Sequence, residues 1–145
     1  LTPALEKAFL EDDEILIEAF LSGIEVSVGV IKYQGEIKVL PITEIVSEND
    51  FFDYEAKYLG KSKEITPARI SEIQKNKASE VARNIYQNMH LKGLSRADFI
   101  FIKDEPYFIE LNLVPGLSSE SIIPKQAIEA GISLSALFES CIDIN

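Results

Sequence analysis

Two alternating segments, Arg96–Ile102 and Pro106–Asn112, flank Lys103-Asp104-Glu105, and that pattern predicts an antiparallel hairpin. A three-residue loop places Asp98 opposite Glu110 and Arg96 opposite Asn112, with all four polar side chains on one face. The other face then carries Ala97, Phe99, Phe101, Tyr107, Ile109 and Leu111, a continuous apolar surface that has to be core. Ile100, Ile102 and Phe108 share the polar face, so something partly covers it. Carboxylates under partial cover need a partner, because an unpaired buried charge is expensive.

A hard divalent cation meets that need. Asp98, Glu110 and Asn112 offer only oxygen donors, and the chain has one His and one Cys, too few for a zinc site of the usual kind. Mg²⁺ suits the trio better than Ca²⁺, because three protein oxygens leave coordination positions for phosphate and water. A solvated sheet face with a cross-strand network between Arg96 and the acids uses the same residues equally well. A register slip of one residue would split the trio between faces.

After the hairpin, Leu113-Val114-Pro115-Gly116-Leu117 cannot continue a central strand, and Gly116 permits a turn with an exposed N–H. Ser118, Ser119 and Ser121 are candidate caps for a helix starting near Ile122, with Pro124 tolerated in its first turn. A helix N-terminus beside a polar sheet face favours a carboxylate or phosphate; an ordinary capped helix has the same sequence.

Elsewhere the pattern predicts a helix over Thr2–Leu10, strands over Glu14–Phe20 and Val26–Tyr33, and a tight turn at Gln34-Gly35. A third strand follows over Glu36–Ile42, with Thr43–Val46 extending the sheet beyond Pro41. Glu48–Lys63 lacks periodicity and is long enough to suggest a functional loop, and Glu64–Pro67 is a short strand leaving it. Ser71–Met89 is the longest helix, with Ile73, Lys77, Val81, Ile85 and Met89 on its stripe and Ala78, Ala82 and Tyr86 beside it. His90 has no partner at telling spacing. Ile122–Ala130 is helical up to Gly131. A last helix, capped by Ser133, buries Leu134, Leu137, Phe138 and Cys141. The expected class is α+β, mainly antiparallel sheet with packed helices.

The 145 residues suit one compact domain or one piece of a larger protein. A net charge of −10 argues against a nucleic-acid partner, though not against one metal-bound triphosphate. With a lone Cys141 and no run of eighteen apolar residues, the expectation is a cytoplasmic protein without a membrane segment.

Ser95-Arg96-Ala97-Asp98-Phe99, Glu110-Leu111-Asn112-Leu113-Val114-Pro115-Gly116 and Ser119-Glu120-Ser121 together resemble the C-terminal signature of D-alanine–D-alanine ligases, members of the ATP-grasp superfamily. Phe52-Asp53-Tyr54-Glu55-Ala56-Lys57-Tyr58-Leu59 resembles that family's mobile loop. The likeness runs from about Ile15 to about Asp143. It implies the C-terminal ATP-grasp fold, with ATP and D-alanine as substrates, Mg²⁺ (or Mn²⁺ in its place) as cofactor, and a homodimer for the full-length protein in peptidoglycan precursor synthesis.

The same resemblance implies residue roles. Glu18 accepts from the adenine amino group, the backbone of Ala19 and Leu21 reads the ring edge, and Glu25 binds the ribose. Lys57 contacts the transferring phosphate, and Tyr58 favours an amine over a hydroxy-acid acceptor. Asp98, Glu110 and Asn112 hold the metal, Arg96 and the Gly116 N–H stabilise the tetrahedral oxygen, and Ser121 with the Ile122 N–H takes the acceptor carboxylate. The family's N-terminal domain and nucleotide-covering subdomain have no counterpart in residues 1–145, so this stretch is expected to be inactive alone. Another ATP-grasp carboxylate–amine ligase and a non-catalytic acidic α+β binding module are the alternative readings.

Overall fold

The computed structural model describes residues 1–47 and 62–142. Among them are one six-stranded antiparallel sheet and four helices. The strands are β1 (Ile24–Tyr33), β2 (Glu36–Val39), β3 (Thr43–Ser47), β4 (Ser62–Ile65), β5 (Leu94–Ile102) and β6 (Glu105–Asn112). The helices are α1 (Thr2–Ala8), α2 (Glu72–Asn88), α3 (Ile122–Glu129) and α4 (Leu134–Ile142). The α+β class expected from the sequence is the one observed. None of the helices among the described residues is long and apolar enough to cross a membrane.

β1 is the central strand. β5 fills one edge along nearly its whole length, while β3 and then β2 share the other. The order β4-β3-β1-β5-β6 follows, with β2 alongside β3 on β1. Gln34 and Gly35 both have positive φ, 52° and 84°, the conformation a two-residue turn needs to match strand twist. Pro41 cannot donate to the ladder, so the chain bends there and re-enters as β3.

Alternation along β1 sends Val26, Val28 and Val30 to one face, where Ala97, Phe99, Phe101 and α2 close the main core. Ser71 and Gln74 form a reciprocal capping box at the start of α2. The buried stripe of α2 is Gln74, Ala78, Ala82 and Tyr86, one residue round from the expected one. Ile73 and Met89 are more than half exposed. The alanines let the helix sit close to the sheet, and Gln74 turns inward because its Nε2 donates to the Lys103 carbonyl, 2.7 Å. On the opposite face Ile31 and Leu40 pack with Ile123, Ala127, Ile132 and Leu137 of α3, α4 and their connection. Leu137 is buried as expected in α4, Leu134 and Cys141 are half-buried, and Phe138 faces outward.

Two other expectations fail. Residues 14–20 form no strand, and Leu16, Ile17 and Phe20 are largely exposed. Both sides of β1, the next strand in the chain, are taken by β3 and β5, so no hairpin forms there. In the β5–β6 hairpin, Arg96↔Asn112, Ala97↔Leu111 and Asp98↔Glu110 pair as predicted, but a bulge follows between Asp98 and Phe99. Beyond it Phe99 opposes Phe108 and the turn shortens to Lys103-Asp104. Phe108 therefore lies on the core face, edge-on to Phe99 with ring centroids 5.9 Å apart. Ile109 and Tyr107 move to the polar face, the reverse of the uniform alternation.

Candidate functional site

The bulge lies beyond Asp98, so it leaves the polar cluster in register. Ser27 of β1, Asp98 of β5 and Glu110 of β6 stand side by side across three strands, with Gly29, Arg96 and Asn112 one pair further along. A cleft of about 350 Å³ lies over this face, lined by Glu25, Glu64, Arg96, Asp98, Glu110 and Ile122 among others. A larger concavity of about 570 Å³ lies elsewhere, between the Pro41 and Pro67 bends and α2. Among its charged groups, Glu72 and Lys75 pair with each other at 3.4 Å. Convergent chemistry, which volume does not report, sits in the smaller cleft.

Asp98 is nearly buried and densely bonded. Ser27 Oγ donates to its Oδ1 at 2.6 Å, and Arg96 grips both carboxylate oxygens through Nε and Nη2 at 2.8–3.1 Å. Arg96 Nη2 also lies 3.6 Å from Glu110 Oε1. Burial of the guanidinium would lower its pKa, but the hydrogen bonds and charge of Asp98, with Glu110 and Glu64 nearby, more than offset this and raise it. Arg96 is therefore a fixed positive charge.

These are oxygen donors of the kind a hard cation takes. Among the described residues no three His, Cys, Asp or Glu side chains are placed to hold a metal ion by themselves. A cation bound to Asp98 and Glu110 would thus rely on an amide as its third protein donor, and Asn112 lies on the same face. Asn112 Oδ1 accepts the Val114 N–H at 3.0 Å, fixing the amide where the strand ends. The Arg96–Asp98–Glu110 contacts are equally the cross-strand network that the alternative reading predicts.

The loop after β6 brings Gly116 to Ser121. A Cβ on Gly116 would lie 2.7 Å from Ser121 Oγ, so only glycine permits this approach. Ser121 is the cap residue of α3 in extended conformation, its hydroxyl 2.9 Å from that of Ser118 rather than bonded to its own helix. Ile122 lines the cleft.

Of the residues singled out in the sequence, Glu25, Arg96, Asp98, Glu110 and Ile122 meet at one cleft, with Asn112 adjoining in register and Gly116 and Ser121 adjoining each other. Glu18 and Ala19 are exposed and Leu21 is half-buried in the segment before β1, and none of the three lines the cleft. Lys57 and Tyr58 lie outside the described residues. Ser27, Glu64 and Gln126 escaped the sequence reading. Ser27 was marked by a hydroxyl in an apolar strand two residues from Glu25. Gln126 was marked as a polar side chain on the apolar stripe of α3. Glu64 contacts Lys125 at 3.3 Å, and nothing in its local sequence distinguishes it.

A family model described as D-ala D-ala ligase C-terminus matches residues 1–143. A D-alanine--D-alanine ligase of Flavobacterium johnsoniae is 61% identical over 142 residues, covering 98% of this chain and 44% of the relative. One from Christiangramia forsetii is 59% identical over 140 residues, covering 97% and 43% respectively. Among solved structures, a D-alanine--D-alanine ligase from Bacillus anthracis has a TM-score of 0.80 at 29% identity, covering 99% of this chain and 46% of that one. The VanG D-Ala:D-Ser ligase of Enterococcus faecalis has a TM-score of 0.81 at 32% identity, covering 99% and 42%. The chain spans about 44% of the length of the first of these curated relatives. Profile, relatives and fold agree: the chain belongs to the D-ala D-ala ligase C-terminus family.

Proposed function

We propose that this chain forms the C-terminal part of an ATP-dependent D-alanine–D-alanine ligase and supplies its metal ligands, oxyanion donors and acceptor pocket. The observation that carries this reading is the register of Asp98 opposite Glu110, with Arg96 beside them and Ile122, which follows Ser121, lining the same cleft. In such a reaction ATP phosphorylates the carboxylate of one D-alanine, and the amine of a second attacks the acyl-phosphate and expels phosphate. Asp98, Glu110 and Asn112 would hold Mg²⁺, or Mn²⁺ in its place, which when bound neutralises charge on the triphosphate.

Arg96 grips Asp98 with the Nε/Nη2 edge of its fork, and the Nη1 edge is assigned to the tetrahedral oxygen together with the Gly116 N–H. Loss of one such donor costs on the order of 3–4 kcal/mol of barrier. Ser121 and the Ile122 N–H hold the acceptor carboxylate, which sets its amine relative to the acyl carbon. By family likeness, Lys57 contacts the transferring phosphate and Tyr58 faces the acceptor. Glu18, Ala19, Leu21 and Glu25 serve adenine and ribose, with the segment before β1 closing onto the nucleotide. Catalysis is expected to require the length of chain its relatives have, and the working location is the cytoplasm.

The test is product analysis by mass spectrometry on the full-length protein with ATP, Mg²⁺ and a panel of amino acids. D-Alanyl-D-alanine as the main product, lost in Arg96→Ala and Asp98→Asn, supports the reading. ATP turnover driven by another acceptor, or ligation by residues 1–145 alone, sinks it. A second reading, D-serine as acceptor, is favoured by the likeness to a structure described as a D-Ala:D-Ser ligase, and the same panel decides it.

A further inference from the structure

Gln126 is fully buried in α3, and every polar atom of its side chain is engaged. Its Oε1 accepts the Gly29 N–H at 3.1 Å, and its Nε2 donates to the Ser27 carbonyl at 2.9 Å and to Thr43 Oγ1 at 3.0 Å. Thr43 Oγ1 is in turn 2.6 Å from Thr66 Oγ1. One amide thereby ties α3 to β1 and β3 at once. Gly29 lacks the Cβ that would stand 2.3 Å from Oε1, so strand and helix are shaped for this contact together.

The placement matters more than the energy. Gln126 sits one helical turn after Ile122, on the same side of α3. The strand residue whose carbonyl it holds, Ser27, uses its hydroxyl to fix Asp98. An unbroken hydrogen-bonded path thus runs from α3 to the metal-ligand face. A leucine of similar size would fill the volume but orphan the Gly29 N–H and leave the helix freer to slide along its axis. Three directional bonds to fixed partners remove that freedom.

We propose that Gln126 is a positioning residue for the acceptor subsite, holding the first turn of α3 so that Ser121 and Ile122 keep register with Arg96 and Asp98. This rests on the ligase reading given above. It assigns to Gln126 no contact with substrate. Its loss should therefore weaken productive placement of the acceptor while leaving the nucleotide and the donor D-alanine little affected.

The experiment is steady-state kinetics on the full-length protein, resolving the KM of the acceptor D-alanine from those of the donor and ATP. Gln126→Leu should raise the acceptor KM about tenfold, as loss of one to two net hydrogen bonds implies, with ATP and donor KM within about twofold. Thr43→Val removes one partner without opening the core and should raise the acceptor KM about threefold. Thr43→Ser, which keeps the hydroxyl, should restore it. That pair carries the test if Gln126→Leu does not fold.

A uniform fall in kcat, an equal rise in ATP KM, or an unmoved acceptor KM in Thr43→Val would overturn the proposal. Ser121→Ala separates the two levels. If it raises the acceptor KM while the Gln126 and Thr43 variants do not, only the role of Gln126 fails. If it leaves the acceptor KM unchanged, the assigned acceptor site falls and the role of Gln126 with it; if the wild type makes no dipeptide, the ligase reading falls.

Discussion

Replacing Gly29 with Ala puts the packing of α3 on β1 to a direct test. The new Cβ would stand 2.3 Å from Gln126 Oε1, 2.6 Å from Ile123 Cδ1 and 3.0 Å from Leu40 Cδ1. Ile123 and Leu40 have nowhere to go, both being core. Gln126 is anchored through Nε2 to Ser27 and Thr43, so its retreat breaks the Gly29 N–H bond and strands a buried donor. Overpacking costs about 1–3 kcal/mol, and an orphaned buried donor costs about 1–3 kcal/mol more. A loss of about 2–5 kcal/mol is expected in urea denaturation of this chain followed by far-UV circular dichroism. It should appear as a lower midpoint at unchanged slope. In a Gln126→Ala background the Oε1 clash is gone and the Gly29 N–H already lacks its partner, so only the crowding against Ile123 and Leu40 remains and the same substitution should cost about 1–3 kcal/mol. If Gly29→Ala lies within about 0.5 kcal/mol of wild type, or if the two changes simply add, the contact is not what seats the helix.

Other outcomes follow from single contacts. The Arg69 side chain, which bonds Glu44 through Nε and Nη2 at 2.8 Å, holds the Glu44 carboxyl below its ordinary 4.5 against the opposing effect of burial. The native state then binds fewer protons than the unfolded chain just below that value. The stability contributed is complete above about pH 4.5 and is lost as pH falls through the lowered native value. Glu44→Gln should flatten that part of the stability–pH curve, and an unchanged acid limb would count against the pairing. Ser27→Ala removes the 2.6 Å bond that orients Asp98 and should weaken Mn²⁺ affinity by about tenfold in a binding titration. Ser27→Thr should retain the affinity, and equal weakening in both would show that the hydroxyl does not matter. Phe108→Ala should destabilise by about 1–2 kcal/mol, because the bulge puts its ring against Phe99. A neutral result would restore the unbulged register.

The hairpin was legible because a half-buried strand pair is specified by alternation; an assumed three-residue loop put Asp98 opposite Glu110, and the shorter turn and the bulge offset each other to leave that pair in place. The bulge was not legible, since one extra residue on β6, Ile109 between Glu110 and Phe108, leaves each flanking segment with its own unbroken alternation. On α2 the large apolar residues drew attention to Ile73 and Met89, whereas close packing on a sheet selects the small side chains of Ala78 and Ala82. Residues 14–20 have strand composition, but β1, the strand that follows them, already has β3 and β5 beside it, a fact set far along the chain. Ser27 and Gln126 were hidden for a related reason. A buried polar side chain acquires meaning from the partners the fold brings to it, and these lie 71 and 97 residues away. The family motifs supplied the expectation for the site, and the register places Asp98 beside Glu110 as that expectation requires.

The most direct measurement is Mn²⁺-induced paramagnetic broadening of the Asp98, Glu110 and Asn112 side-chain resonances in the full-length protein with a non-hydrolysable ATP analogue. Broadening of all three, abolished by Asp98→Asn, is the predicted result. Sharp signals at those residues, with the broadening centred elsewhere, would contradict a metal site on this sheet face and leave the Arg96–acid contacts as a purely structural network.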